Sequence, residues 1–132
     1  MGRDALIHTH NHSTGTSNEY YMAAMYMAEG HQVFWPADQH TAVDFLLERH
    51  NAKLKVQVKT VRDCNGYWKC DTVTKHARNS KGSRHYDLLV AVSPNGDVWE
   101  IPARLIRGDN LSFGRITGRG RPNKWAQYKI RG

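Results

Sequence analysis

The sequence predicts a single α/β domain in which a central mixed β-sheet of four or five strands carries flanking helices. Three observations support this fold class. The 132 residues suit one domain with one hydrophobic core. Short runs that are typical of strands recur along the chain, separated by turn residues. One helical pattern precedes most of these runs, so we expect an N-terminal helix packed on one face of the sheet.

The helical pattern begins at Thr16, where a threonine N-cap and Glu19 three residues later match a capping box. Apolar residues then recur at helical spacing and predict one buried face: Tyr21, Ala24, Met25 and Ala28. Gly30 stands where glycine commonly ends a helix. A capping role alone would explain Glu19. Residues 1–14 predict an N-terminal arm whose histidines favour a tail or strand-like alternation over a metal-binding tract.

Two strand-like runs, residues 43–49 and 53–61, predict a β-hairpin. His50-Asn51 or Asn51-Ala52 would supply its tight turn. Side chains two apart in a strand share a face, so Gln57 and Lys59 point the same way. In a hairpin with a two-residue loop, the sequence numbers of two residues that face each other across the strands always add up to an odd number. Either turn therefore brings Asp44 onto the face of Gln57 and Lys59.

A carboxylate, an amide oxygen, a lysine and a backbone carbonyl converging in this way predict a metal site with a cation beside it. The predicted metal ligands are Asp44, Gln57 and the carbonyl group of Val58. Magnesium fits this set because hard cations take oxygen ligands, and manganese would be a substitute. Lys59 would orient a water or neutralise charge on a phosphate. The alternative is an ordinary half-buried hairpin, although aspartate is depleted in strands.

The other predicted elements alternate strands with turns. Residues 31–35 form a strand that Pro36 closes, and a loop over 37–42 leads to the hairpin. Further strands follow at 66–73, 86–92 and 98–101, with a turn at 94–97 and a short helical turn at 103–106. We expect Trp68 and Trp99 to lie in the core rather than to stack on bases.

Two segments of the chain are rich in basic residues. Residues 74–85 show no periodicity and carry four cations, which are either a solvated loop or phosphate contacts: Lys75, Arg78, Lys81 and Arg84. Residues 118–122 are similar to the core of an AT-hook, in which Arg119 and Arg121 would enter a narrow minor groove. A basic loop on phosphates is the alternative. We expect Trp125 and Tyr128 to anchor the tail on the core.

Composition restricts the class of protein. The chain has 19 basic and 12 acidic residues, so its formal net charge of +7 favours a polyanionic partner. The two cysteines, Cys64 and Cys70, have no metal-knuckle spacing, and we expect reduced thiols. No apolar run approaches the ~18 residues of a membrane span. These features predict a soluble, intracellular protein without a secretory leader.

The order Glu19, Asp44, Gln57-Val58-Lys59 resembles the PD-(D/E)XK nuclease superfamily. The run Gln57-Val58-Lys59-Thr60, followed by Gly66-Tyr67-Trp68 and Tyr86-Asp87-Leu88, is similar to its small group I intron-encoded homing endonucleases. The resemblance covers residues 15–106. It departs from the superfamily pattern in two ways, because Gln57 replaces the usual Asp or Glu and Val43 stands where the proline of the name would be. The intron-encoded branch is known for a Gln-x-Lys version.

The resemblance implies a PD-(D/E)XK nuclease core at 15–106, between the arm at 1–14 and a basic C-terminal segment at 107–132 packed on the core. It implies the candidate catalytic residues Glu19, Asp44, Gln57 and Lys59. The expected function is a magnesium-dependent, homing-type DNA endonuclease in the cytoplasm. A Holliday junction resolvase on the same fold and a catalytically inactive DNA-binding module are the alternatives. We expect double-stranded or branched DNA as the partner and a homodimer or homotetramer.

Overall fold

Two β-sheets and a long helix make up the fold in the computed structural model, which describes residues 10–37, 43–72, 85–117 and 123–132. The chain order is α1 (His10–Ala28), β1 (Gln32–Phe34), β2 (Phe45–Arg49), β3 (Ala52–Thr60), β4 (Arg62–Cys64), β5 (Tyr67–Asp71), β6 (Leu88–Val92), β7 (Val98–Pro102), the 3-10 turn η1 (Ala103–Leu105), β8 (Asn110–Arg115), the 3-10 turn η2 (Ala126–Tyr128) and β9 (Lys129–Arg131). The predicted α/β class is confirmed.

The β2–β3 hairpin turns at His50 and Asn51, as one of the two predicted turns requires. Both residues have positive φ, 53° and 64°, which a two-residue type I′ turn demands at its central positions. The antiparallel register runs from Arg49 opposite Ala52 to Phe45 opposite Val56. This register sets which β3 side chains share a face with the residues before β2.

The central sheet has the strand order β1-β2-β3-β6-β7-β9. β3 and β6 pair in parallel, with Val56 opposite Leu88 and Thr60 opposite Val92. The other pairs are antiparallel, so the sheet is mixed as predicted. Among the described residues it has six strands where the sequence predicted four or five, because β9 adds an edge beside β7.

Helix α1 packs on one face of this sheet. Its buried residues lie against Phe45, Leu47 and Val56 of the hairpin, and they are Met22, Ala23, Met25 and Tyr26. The predicted buried face was therefore wrong except at Met25, since Tyr21, Ala24 and Ala28 are exposed. From Tyr20 to Ala28 every residue is apolar, so apolar side chains lie on all sides of this part of the helix. Spacing alone therefore does not select the face that packs on the sheet.

The predicted helix start at Thr16 was also wrong. The helix begins at His10 and crosses the predicted boundary between the arm and the core. Thr16 and Glu19 thus lie inside α1, and their capping-box pattern caps no helix end. The local pattern at Thr16 matches a helix start, but the polar residues before Thr16 are helical as well. Gly30 does follow the helix, with a positive φ of 93°.

A second sheet of order β4-β5-β8 is packed with the opposite face of the central sheet. Trp68 and Trp99 are both buried there, and the Trp99 ring stacks on Phe113 with centroids 4.3 Å apart. Their predicted core positions are confirmed. Trp125 is buried in the same cluster and Tyr128 packs against it, which confirms the predicted anchors of the tail. Strand β8 makes the C-terminal segment part of this second sheet.

Cys64 and Cys70 are free thiols, as predicted, and burial raises the pKa of Cys70 to about 12. In the described part of the chain, no helix combines the length and the apolar character needed to cross a membrane.

Candidate functional site

The β2–β3 pair opens into a fork at Asp44. Pairing of β2 with β3 ends at Phe45 and Val56, whereas β3 continues along β6 as far as Thr60. The backbone N–H of Asp44 still donates to the Val56 carbonyl oxygen at 2.8 Å. Beyond that point the Asp44 side chain replaces the missing strand. Its Oδ2 atom accepts a hydrogen bond of 2.6 Å from the Val58 backbone N–H.

The Val58 carbonyl group faces the same fork. In a strand, the N–H and the C=O of one residue point to the same side. The Val58 oxygen therefore lies on the side where its N–H meets Asp44. The Gln57 side-chain Nε2 lies 3.4 Å from this oxygen. A carboxylate and a backbone carbonyl are therefore neighbours in one small region at the end of β2.

Gln57 fills the space between them. Its side chain is only 7% exposed, and Nε2 donates to Asp44 Oδ2 at 3.0 Å. The other amide atom, Oε1, is buried and has no hydrogen-bond partner among the described residues. A buried polar atom without a partner costs on the order of 1–3 kcal/mol, so this glutamine is held in an unfavourable place for stability alone.

Glu19 reaches the same carboxylate from helix α1. The pKa of Asp44 rises from 3.8 to about 7, first because of burial. The Val58 hydrogen bond opposes this rise, while the charge of Glu19 and its hydrogen bond with Asp44 add to it. Two acidic groups in contact at a half-buried position favour sharing a proton, because two adjacent negative charges repel.

Lys59 supplies the cation at the site. It lies two residues after Gln57 in β3 and therefore on the same face of the strand. Its side chain is half-buried, and its positive charge lowers the pKa of Asp44. The site thus combines two carboxyl groups, a neutral amide, a backbone carbonyl and one ammonium group.

The structure brings together the four residues that the sequence singled out, Glu19, Asp44, Gln57 and Lys59. The odd-sum rule for a two-residue loop holds, since Asp44 and Gln57 continue the register that pairs Phe45 with Val56. The predicted DNA contacts lie outside the described residues, and they are Lys75, Arg78, Lys81, Arg84, Arg119 and Arg121.

Two side-chain contacts of β3, one beside the site and one outside it, had no signal in the sequence. Asn18 Nδ2 donates to Thr60 Oγ1 at 3.0 Å and links α1 to the end of β3. Asp87, just before β6, accepts a hydrogen bond of 2.9 Å from the Lys55 backbone N–H. Asp87 thus contacts the β3 backbone as Asp44 does, but its side chain is exposed. These pairings depend on how distant segments meet, which residue spacing does not encode.

The donor set fits a hard divalent cation. Carboxylate, amide and carbonyl oxygens are the ligands that magnesium takes, usually with several waters retained. In the described ranges, no group of three or more His, Cys, Asp or Glu side chains forms a metal cluster. A site here would therefore need the neutral oxygens of Gln57 and Val58, and the unpartnered Gln57 Oε1 is such an oxygen.

No family model and no curated protein sequence matches the chain. Among solved structures, the fold is similar to that of a bacterial homing endonuclease, I-Ssp6803I, with a TM-score of 0.71 and 19% sequence identity. The match covers 87% of this chain and 83% of the other. The chain therefore has the fold of this endonuclease, a mixed α/β architecture with its helix on the central sheet.

Proposed function

We propose that this chain is a metal-dependent DNA endonuclease that hydrolyses phosphodiester bonds, with homing-type site specificity. One observation carries the proposal: the buried Gln57 amide meets the Asp44 carboxylate and the Val58 carbonyl through Nε2, while its Oε1 has no partner among the described residues. Such an atom lowers stability, whereas a bound cation would use it. Natural proteins accept unfavourable local arrangements mainly where function requires them.

Asp44, Gln57 and the Val58 carbonyl would hold magnesium, or manganese in its place. The Gln57 amide carries a donor and an acceptor at its end and can present either one to Asp44. When bound, the cation supplies polarisation of a phosphoryl oxygen and a more acidic water. The negative charge of Asp44 would then face a cation, which removes the cost of ionising a buried carboxyl group.

Lys59 and Glu19 would act on the substrate and the water. The Lys59 ammonium group lies beside Asp44 and would neutralise charge that develops on the phosphate during attack. Glu19 places a second carboxyl group at the same point from the helix side. It would accept a hydrogen bond from the attacking water and orient it. Both groups act through position and charge, which are the main sources of catalysis in phosphoryl transfer.

Charge and fold support DNA as the substrate. The formal net charge of +7 favours a polyanion, and the similar fold belongs to a homing endonuclease. Phosphate contacts would come from the two basic segments, through Lys75, Arg78, Lys81, Arg84, Arg119 and Arg121. Since such contacts dominate affinity, binding should weaken steeply with salt.

The test is cleavage of a randomised DNA target library with magnesium, with manganese and with a chelator. We expect cleavage with either cation, no cleavage with the chelator, and one enriched target. Asp44→Asn should abolish cleavage. Asp87→Asn is the matched control, because Asp87 also accepts a β3 backbone hydrogen bond but lies outside the site. Binding without cleavage under any metal would indicate an inactive DNA-binding module, and selective cleavage of a four-way junction would indicate a resolvase.

A further inference from the structure

One hydrogen bond joins helix α1 to β3 immediately beside the candidate site. Asn18 Nδ2 donates to Thr60 Oγ1 at 3.0 Å, and the pair is partly buried. Asn18 directly precedes Glu19, and Thr60 directly follows Lys59. The bond therefore ties together the two backbone segments that carry Glu19 and Lys59.

This part of the helix is packed less tightly than the part that follows it, although the Tyr20 ring contacts the Trp35 ring with centroids 5.1 Å apart. None of residues 15–21 is buried, and the first buried side chain of α1 is Met22, at 0% exposure. From Met22 to Tyr26, burial in the core holds the helix on the sheet. Glu19 lies one turn before that anchored part. The Asn18–Thr60 hydrogen bond is a direct contact between this segment and β3, so it can set the position of Glu19 relative to that strand.

Thr60 is suited to hold this contact. It is the last residue of β3 and pairs with Val92 of β6, so its backbone is fixed within the central sheet. Side chains alternate along a strand, so Thr60 points to the face opposite Lys59 and Gln57. Thr60 thus receives the helix on one face, while Lys59 serves the site on the other.

We propose that Asn18 and Thr60 are positioning residues for this site, and that their hydrogen bond fixes Glu19 against Asp44. This inference rests on the proposed nuclease function. The contact between Glu19 and Asp44 links α1 to the fork where β2 leaves β3. Loss of the Asn18–Thr60 bond would allow Glu19 to move away from the water it orients and would take its negative charge away from the metal site. The metal ligands and the DNA-binding cations themselves would stay in place, so magnesium would bind more weakly.

Three variants isolate the bond, and a fourth is a matched control. Thr60→Val keeps the size and β-branching of the side chain but removes its hydroxyl group, and Asn18→Leu removes the donor. Thr60→Ser keeps the hydroxyl. Thr72→Val is the control, because the Thr72 hydroxyl donates to the Gly108 carbonyl oxygen at 2.5 Å in another part of the fold. The control loses a comparable hydrogen bond away from the site.

Single-turnover cleavage and magnesium-dependent thermal stability are the two readouts. Thr60→Val and Asn18→Leu should each lower the rate at saturating DNA by roughly ten- to a hundredfold, the scale of a small misplacement of a catalytic group. The DNA concentration for half-maximal rate should stay the same, and the magnesium concentration for half-maximal rate should rise. Thr60→Ser should recover most of the rate. The double variant should be no slower than either single variant, because both break the same bond.

Stability separates positioning from a merely structural role. Thr72→Val should lower the melting temperature while keeping the parental rate and the parental rise in melting temperature on adding magnesium. Thr60→Val should show a smaller rise than the parent. An active parent with a Thr60→Val variant that keeps the parental rate and magnesium requirement overturns the positioning role alone. A parent with neither cleavage nor a magnesium-dependent rise overturns the proposed function, and the positioning role with it.

Discussion

The carboxylate of Asp44 accepts a hydrogen bond of 2.6 Å from the Val58 backbone N–H, where a neighbouring strand would otherwise pair. One side chain thus ends the pairing of β2 with β3 and forms the centre of the candidate site. The first role needs only an acceptor at Oδ2, while the second also needs the negative charge. Substitutions that keep the acceptor and remove the charge separate the two roles, and they are preferable to Asp44→Ala, which would leave the Val58 N–H without its partner.

The first prediction concerns stability against pH without metal. The pKa of Asp44 is raised from 3.8 to about 7, so between these values the folded protein binds a proton that the unfolded chain releases. The stability from this group is fully present below about 3.8 and is lost as pH rises to about 7. The loss is at most ~1.4 kcal/mol per pH unit, the value for one proton.

Asp44→Asn keeps an acceptor for the Val58 N–H and cannot ionise. With a chelator present, its free energy of unfolding should increase relative to the parent across the same pH range and then level off. Denaturant unfolding at several pH values measures this difference. Asp87→Asn, the exposed control, should lose its charge-assisted bond to Lys55 and should not be more stable than the parent. A pH-independent difference between Asp44→Asn and the parent would contradict the raised pKa.

Much of this site could be predicted because it depends on short-range geometry. The turn at His50 and Asn51 fixes the register, and the register places Asp44 opposite Gln57. The burial of Gln57 could not be predicted, since it requires β6 to pair with β3 across a long stretch of chain. The unpartnered Oε1 follows from that burial, so the strongest functional signal was visible only in the structure.

Two of the three errors share a physical cause. The capping-box pattern at Thr16 and Glu19 is a local match, but the helix begins earlier, at His10. The buried face of α1 is chosen by the sheet on which it packs, and an apolar helix offers more than one face. β8 and β9 lie in a segment that reads as a basic tail, yet they add strands to both sheets. Nonlocal packing and pairing override local pattern for the helix face and for these two strands.

The second prediction concerns Lys59. Lys59→Met keeps much of the length and loses the charge, so single-turnover cleavage should fall by about a hundredfold or more, as for loss of one group that stabilises the transition state. Lys59→Arg should also be slow, because a planar guanidinium group differs from a compact ammonium group. Lys55→Met is the control, since Lys55 lies on the same face of β3 but is exposed. It should mainly change the salt dependence of DNA binding. A parental rate for Lys59→Arg would reduce the role of Lys59 to general electrostatics.

The third prediction concerns Gln57. Gln57→Glu adds a third carboxyl group beside Asp44 and Glu19, so the metal-free protein should melt at a lower temperature than the parent. Magnesium should raise its melting temperature more than that of the parent, because a charged ligand binds a hard cation more tightly. Gln127→Glu, on the exposed 3-10 turn η2, controls for the added charge and should leave the magnesium response unchanged. Calorimetric titration showing weaker magnesium binding by Gln57→Glu would count against direct coordination.

The last prediction concerns assembly and follows from the number of sites. The described residues contain one Asp44–Gln57–Lys59 arrangement per chain, and one such site hydrolyses one strand at a time. The two strands of DNA place their scissile phosphates in two-fold-related positions, so a small nuclease cuts both in one encounter by pairing subunits across a two-fold axis. A specific protein–DNA interface also buries roughly 1,000–2,500 Å² of protein, which is a large demand on one chain of 132 residues.

Mixing parent and variant subunits tests directly whether two chains act together on one DNA molecule. The parent alone should convert supercoiled plasmid to linear product, whereas mixtures with Asp44→Asn should accumulate nicked circles, because a mixed dimer cuts only one strand. Sedimentation on DNA gives the stoichiometry independently. Mixing with Asp87→Asn, which keeps the site, should leave the linear product unchanged. If the parent sediments as a monomer on DNA and yields nicked circles even without the variant, one chain acts alone, and the two-fold arrangement is wrong.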